Sequence, residues 1–366
     1  MHGKGKTRIA VVFGGQSGEH DVSLRSAQTI MGALDPERYD IIPVGIDRDG
    51  RWLSGGDPFA RLTASSPLFA LPAGSPNGVD PESHAPAPVE RESDLPAGVL
   101  DAIDVVFPVL HGPRGEDGTI QGMLELAGIP YVGAGVLGSA VAMDKAMAKT
   151  ILAQAGIPQA PWLLVSQRDW RDQPADVAAR IATTLGFPCF VKPANMGSSV
   201  GISKVHGSEE LETAMTLAAG YDRRLVIEVG IDARELELAV LGNDDPIASI
   251  AGEIVPCNEF YDFAAKYIDD RSELVIPAPI EPQTLARLQT TAIAAFRALD
   301  LAGMARVDFL LDRTTGQIYL NEVNTIPGFT AISMYPLLWE ASGVPLPELV
   351  DRLVGLALER HAARPI

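Results

Sequence analysis

Only two cysteines, Cys189 and Cys257, occur in 366 residues. Neither has a CxxC partner or a nearby histidine pattern, which excludes a disulfide framework and a thiolate metal site and leaves two reduced, partly buried thiols. Lysine is also scarce, with seven against 22 arginines, and acid dominates to give a net charge of −18. That balance excludes a general binder of nucleic acid or anionic membrane. No window approaches ~18 uninterrupted apolar residues, so nothing reads as a membrane span. The basic N-terminus, MHGKGKTRIAVVFGG, has too short an apolar run for a signal-peptide core and no cleavage site. A cytoplasmic protein is expected. There is no GxxxxGK[ST], which removes the P-loop. An acidic chain that handles phosphate must then gather its few cations locally or use a metal, so each lysine inside a motif needs a reason.

The chain is 46% hydrophobic, enough for two or three domains with cores of their own. KTRIAVVFGG reads as a buried strand ending in glycines, followed by a helix in SLRSAQTIMGAL and a strand in YDIIPVGID. Residues 63–98 hold seven prolines and little periodicity, which predicts a surface excursion. Strand DVVFPVLHG, helix TIQGMLELAG and strand IPYVG follow, so a parallel α/β domain is expected up to about residue 133. Beyond it come a helical stretch GSAVAMDKAMAKTILAQAG, the strands PWLLVS, FPCFVKP, ISKV and RLVIEVG with interleaved helices, and a strand-rich C-terminal part. The latter contains ELELAVLG, PIASIAGEIV and the helix QTLARLQTTAIAAFRALD, and it closes with a hairpin and two short helices.

The hairpin, ARVDFLLDRTTGQIYLNEVN, carries the chemistry. A three-residue loop, Thr314-Thr315-Gly316, pairs residues whose numbers sum to 630. Asp308 then faces Glu322 and Arg306 faces Asn324, with all four polar groups on one side of apolar strands. Two opposed carboxylates repel unless a cation lies between them. Hard oxygen ligands without His or Cys suit Mg²⁺, which leaves positions for water and phosphates. A solvated surface pair is the bland alternative, and four polar groups on one face count against it. For the phosphates, GFPCFVKPANMGSSVGISKV puts Lys192 at a strand end beside the flexible turn Gly197-Ser198-Ser199. An ordinary hairpin turn would look similar. Lys145 in AMDKAMAK begins a helix, where a lysine opposes the dipole and needs another reason to be there. Glu228, on an apolar strand, could accept from an adenine amino group or a ribose hydroxyl, whereas Glu235 could equally be solvated. In GGQSGEHDVS, Glu19 stands where a dinucleotide fold wants glycine; it would repel phosphate and suits an ammonium group. Acidic residues favour helix starts anyway, and Glu116 and Asp117 in HGPRGEDGTIQG have the same simple reading.

Taken in order, GGxSxExxVS, HGxxGEDGxxQG, MDK, VKPxxxGSSVG, EFYDFAAKY, ARVDF and NEVNTxPGFT resemble the D-alanine–D-alanine ligases, members of the ATP-grasp superfamily. The resemblance covers nearly the whole chain except residues 63–98. It implies an N-terminal α/β domain (1–133) followed by two α+β subdomains that clasp ATP (134–228 and 229–366). It also implies ligation of two D-alanines through a D-alanyl phosphate for peptidoglycan synthesis, and by analogy a homodimer. Glu19 would hold the first D-alanine's ammonium, with His111 beside the substrate. Lys145, Lys192, Ser198, Ser199, Ile231 and Lys266 would contact ATP, and Glu228 and Glu235 its adenosine. Asp308, Glu322 and Asn324 would bind two Mg²⁺ ions, with Mn²⁺ a substitute. Arg306 and the Gly328 N–H would steady the oxyanion, and Ser333 would take the second carboxylate. Tyr267 would join Ser198 and Glu19 in closing the site, and related ligases that make D-alanyl-D-lactate lack this tyrosine. Two other classes share parts of the pattern. Another ATP-grasp carboxylate–amine ligase would keep the ATP residues without Glu19, Tyr267 and Ser333 together. A non-catalytic nucleotide sensor would have little use for Asp308, Glu322, Asn324 and Arg306 all intact.

Overall fold

The computed structural model describes residues 5–64, 66, 69, 103–255 and 273–363. Cys257, Lys266, Tyr267 and nearly all of the Pro-rich stretch 63–98 lie outside the described residues. Strand β1 (Thr7–Gly14) is the centre of the first sheet, where Ile9 to Phe13 are buried in one continuous apolar run. It pairs in parallel with β2 (Tyr39–Ile46) and β4 (Val105–Val109), and the short β3 (Trp52–Leu53) adds an antiparallel edge. β1 stops at Gly14, whose φ of 94° brings the chain so close to β2 that a Cβ would lie 2.1 Å from the Ile46 carbonyl oxygen. The turn delivers Glu19 to the N-cap of helix His20–Ala33. IPYVG contributes only an isolated bridge, Val106 to Tyr131, rather than the strand its apolar residues predict.

The helical stretch 138–156 is two helices, Val136–Met143 and Lys145–Gln154. Asp144 breaks it by taking an extended conformation and accepting from the Met147 N–H at 3.0 Å. The second sheet holds β5 (Trp162–Ser166), β6 (Cys189–Pro193), β7 (Ser203–Val205) and β8 (Arg224–Val229), in the order β5-β8-β6-β7. The third is antiparallel in the order β11-β10-β9-β12-β13, from β9 (Ala233–Gly242), β10 (Ile247–Val255), β11 (Glu273–Val275), β12 (Gly303–Asp312) and β13 (Ile318–Asn324). Helix Pro282–Ala298 packs on its far side. The last helix, Leu346–Ala362, runs for 17 residues rather than being short. Leu349, Val350, Leu353, Val354 and Ala357 form its buried stripe, and they share one core with Ile9, Val11 and Phe13 of β1. The C-terminal helix therefore packs against the first strand.

Candidate active site

The site grows from the register of the third sheet. Arg306 pairs with Asn324 and Asp308 with Glu322, as the sequence predicts, but the loop between them is different. Asp312 donates its N–H to the Gln317 carbonyl, so four residues, 313–316, make the turn, and Phe309 pairs with Leu320. A bulge at Asn321 then restores the register beside Asp308. The expected pairing thus results from two compensating departures. On the other side of β12, Asp308 also faces Glu237 of β9. Three carboxylates, Glu237, Asp308 and Glu322, therefore stand in a row across three strands on one face.

Cations answer that row. The Arg306 guanidinium donates from Nε to Asp308 Oδ1 at 2.8 Å and from Nη2 to Oδ2 at 2.7 Å, and its Nε stands 2.9 Å from Glu237 Oε2. Burial alone would discourage this charge, but Asp308 and Glu237 outweigh it and hold Arg306 firmly protonated. Asn324 donates to Asp308 Oδ2 at 3.0 Å. Among the described residues no three His, Cys, Asp or Glu side chains converge as a metal cluster. A cation here would meet two carboxylates and an amide, all hard oxygen donors, which fits Mg²⁺ and its preference for few protein ligands.

One side of this face opens into a cleft of about 530 Å³ lined by Lys145, Lys192, Ser198, Ser199, Glu228, Ile231 and Glu235 together with Asp308 and Glu322. Glu228, 3% exposed, is not an open acceptor: Lys192 donates to its Oε2 at 2.8 Å and Lys149 stands 3.1 Å from its Oε1. Burial would raise the Glu228 carboxyl, yet the two ammonium groups pull it down to about 2. Lys145 donates to the Met196 carbonyl at 2.6 Å and so ties its helix start to the loop before Ser198. Ser198 and Ser199 both have positive φ, 49° and 58°, a conformation that bulky residues avoid and that aims this turn over the cleft.

The other side is a tighter cavity of about 110 Å³ that includes Glu19, His111, Glu116, Arg306, Gly328 and Ser333. It is assembled by hydrogen bonds between segments far apart in sequence. The Phe329 N–H donates to Ser26 Oγ at 3.1 Å, and Ser26 Oγ lies 3.3 Å from His111 Nε2. His111 Nδ1 is 3.0 Å from the Ile326 carbonyl, which can only accept, so Nδ1 carries the proton and Nε2 accepts from Ser26. Burial lowers the His111 pKa and favours this neutral ring. Glu116 accepts from Gly112 N–H at 2.8 Å and Ile326 N–H at 3.1 Å. Burial, with Glu19 nearby, pushes its carboxyl up to about 8. Glu116 therefore does not start a helix; Gly118 caps the helix Thr119–Leu126 and Asp117 accepts from Arg114 and Thr119 N–H. A Cβ at Gly328 would lie 2.7 Å from Ser333 Oγ, so a side chain there would displace the Ser333 hydroxyl. Glu19 approaches the Ser198 loop, with its Oε2 3.4 Å from where a Gly197 Cβ would be.

Every expected site residue within the described part lies on one of these two cavities: Glu19, His111, Lys145, Lys192, Ser198, Ser199, Glu228, Ile231, Glu235, Arg306, Asp308, Glu322, Asn324, Gly328 and Ser333. Lys266 and Tyr267 lie outside the described residues. Three participants escape the sequence reading. Glu237 is signalled by the alternation in ELELAVLG, which puts it on the face of Glu235. Glu116 is signalled only by lying within a glycine-flanked motif. Lys149 is signalled by lysine scarcity and by its position one helical turn after Lys145.

A sheet with charges clustered on one face stands between a lysine-lined cleft and a small polar cavity, the arrangement that the resemblance to ATP-grasp ligases implies. The family description "D-ala D-ala ligase N-terminus" matches residues 8–134, and "D-ala D-ala ligase C-terminus" matches residues 151–355. A D-alanine–D-alanine ligase of Thermoanaerobacter sp. (strain X514) is 54% identical over 358 residues, covering 97% of this chain and 98% of its own length. The solved D-alanine–D-alanine ligase of Coxiella burnetii superposes with a TM-score of 0.79 at 39% identity, covering 98% of this chain and 95% of that one. The VanG D-Ala:D-Ser ligase of Enterococcus faecalis has the same TM-score at 34% identity, covering 96% and 100%. This chain belongs to the D-alanine–D-alanine ligase family. No helix of its described residues is long and apolar enough to cross a membrane.

Proposed function

We propose that this protein joins two D-alanines at the expense of ATP, giving D-alanyl-D-alanine, ADP and phosphate for peptidoglycan precursors. A carboxylate oxygen of the first D-alanine attacks the γ-phosphorus and ADP leaves. The free amine of the second then attacks the acyl carbon, a tetrahedral intermediate forms, phosphate departs, and the amine gives up a proton. The observation that carries this reading is the charged face Arg306–Asp308–Glu322–Asn324, which stands between the cleft and the small cavity. A phosphoryl group on that face reaches both a nucleotide in the cleft and an amino acid beside Glu19.

In this reading Lys145, Lys192, Ser198, Ser199, Ile231 and, from the sequence, Lys266 hold ATP, with Glu228 and Glu235 at its adenosine. Glu19 takes the first ammonium, and His111 lies alongside. Arg306 and the Gly328 N–H stabilise the oxyanion, where preorganised donors act most strongly. Ser333 binds the second carboxylate, and Tyr267 closes the site with Ser198. Asp308, Glu322 and Asn324 would hold two Mg²⁺ ions, whose chemistry is to neutralise charge on transferring phosphoryl oxygens. The proposal extends to three domains divided near residues 133 and 228, and to a homodimer.

The test is phosphate release with Mg·ATP across D-alanine, L-alanine, D-serine and D-lactate, with products identified by mass spectrometry. Release with D-alanine alone, and the dipeptide as product, is expected. A mixed product with D-serine would move the acceptor assignment toward the VanG-like activity, and release driven by L-amino acids would overturn the reading.

A further inference from the structure

Of the seven lysines, Lys149 is the most deeply buried one described, at 3% exposure, and no role proposed above uses it. It lies on helix Lys145–Gln154 and points its ammonium at Glu228 Oε1, 3.1 Å away. Lys192 holds the other oxygen of the same carboxylate. The arrangement poses a conflict. If Lys192 is to bind phosphate it must leave Glu228, and a buried carboxylate stripped of its partner is costly. A second, permanent partner removes that cost.

We propose that Lys149 is a positioning residue that acts as the resident counter-ion of Glu228, so that Lys192 can exchange Glu228 for a nucleotide phosphate. Lys149 keeps Oε1 throughout. Departure of Lys192 uncovers Oε2, which then accepts from the adenosine, so one exchange serves both ends of the nucleotide. The inference rests on the ATP site proposed above and adds to it the reason for a lysine that nucleotide never touches. Burial, and to a lesser degree the neighbouring Lys192, lower the Lys149 pKa, and Glu228, with a smaller contribution from Glu322, opposes the loss of its charge.

The experiment is calorimetric binding of ATP with Mg²⁺ and without D-alanine, in a double-mutant cycle of Lys149→Met and Glu228→Gln. Lys149→Met should weaken ATP binding by ~30-fold, because Lys192 must now abandon an otherwise unpaired buried glutamate. In the Glu228→Gln background the same change should cost less than ~3-fold, since no carboxylate remains to be left bare. Equal losses in both backgrounds would make Lys149 a direct nucleotide ligand and overturn the inference. Unchanged affinity with a lowered Tm would reduce it to a structural ion pair, which also overturns it. If Lys149→Met does not fold, the double variant against Glu228→Gln alone still decides, because a loss there is incompatible with action through Glu228. Failure of the wild type to bind ATP would instead remove the nucleotide site beneath the inference.

Discussion

The two cavities flanking the third sheet are built on opposite principles. The larger cleft is a matter of charge, with its carboxylates and Lys192 carried on strands, Lys145 and Lys149 on the helix Lys145–Gln154, and opposite charges set in alternation, as in Lys192–Glu228–Lys149 and Arg306–Asp308. Its parts come mainly from two antiparallel sheets and lie where strand register puts them. The small cavity is a matter of backbone fastening. Ser26, His111 and Glu116 carry few of the expected substrate contacts, yet together they pin the 326–329 loop to the first sheet through four hydrogen bonds to Ile326 and Phe329 or between each other. Neutralising a charge in the row is expected to remove the chemistry outright, whereas loosening the fastened loop is expected to degrade it gradually. Variants on the two sides should therefore fail differently.

The sharpest break is expected on the charged face. Glu322→Gln keeps the size of the side chain and removes one charge from the carboxylate row, so turnover should fall by at least ~100-fold while the protein stays folded. Steady-state rates at saturating Mg²⁺, read beside a thermal melt, check this. Near wild-type turnover would remove Glu322 from the chemistry.

On the small-cavity side the effect should be selective. Glu19→Gln removes the proposed partner of the substrate ammonium and should raise the KM for D-alanine by ~30-fold, with the KM for ATP changed less than ~3-fold. Equal changes in both would mean that Glu19 serves only as the N-cap of its helix. Ser26→Ala goes a step further from substrate. It deprives the Phe329 N–H of its acceptor, and kcat should drop by ~10-fold as the loop bearing Gly328 loosens. An unchanged kcat would show that the loop needs no such fastening.

The same contrast explains what the sequence discloses. Strand-borne features were legible because a period of two converts spacing into facing: Asp308, Glu322, Arg306 and Asn324 are predicted on one side and are found there. Even so, the four-residue turn and the bulge at Asn321 were not legible, because one residue of slippage in the loop and one in the strand cancel in every pattern. The break at Asp144 was masked by apolar residues on either side of it that suit a helix equally well. The fastening of the small cavity was the least legible. Glu116 contacts Ile326, 210 positions away, and nothing local distinguishes it from an acidic residue at a helix start. The C-terminal helix shows the apolar spacing of a buried stripe, but not that its partner is the first strand.

Glu116 provides the mildest test. Its folded-state pKa of about 8 stands above the ordinary 4.5, because burial, and then Glu19, disfavour the charged form more than two backbone N–H donors favour it. Between those values the native protein holds a proton that the unfolded chain has released, so stability is fully present at low pH and is lost as pH rises from about 4.5 to about 8. Glu116→Gln cannot titrate. It should be less stable than wild type at pH 5, because its amide offers one accepting oxygen to two donors, Gly112 and Ile326 N–H. That gap should narrow by at least ~1 kcal/mol by pH 8, as wild type alone loses its pH-linked share. His111, Arg306 and Glu19 face the same cavity and are present in both proteins. Urea unfolding of the two proteins at half-unit steps from pH 5 to 8 measures the gap. A gap that is constant or widens with pH would mean that Glu116 is already charged throughout, and that the small cavity, like the cleft, is held together by charge.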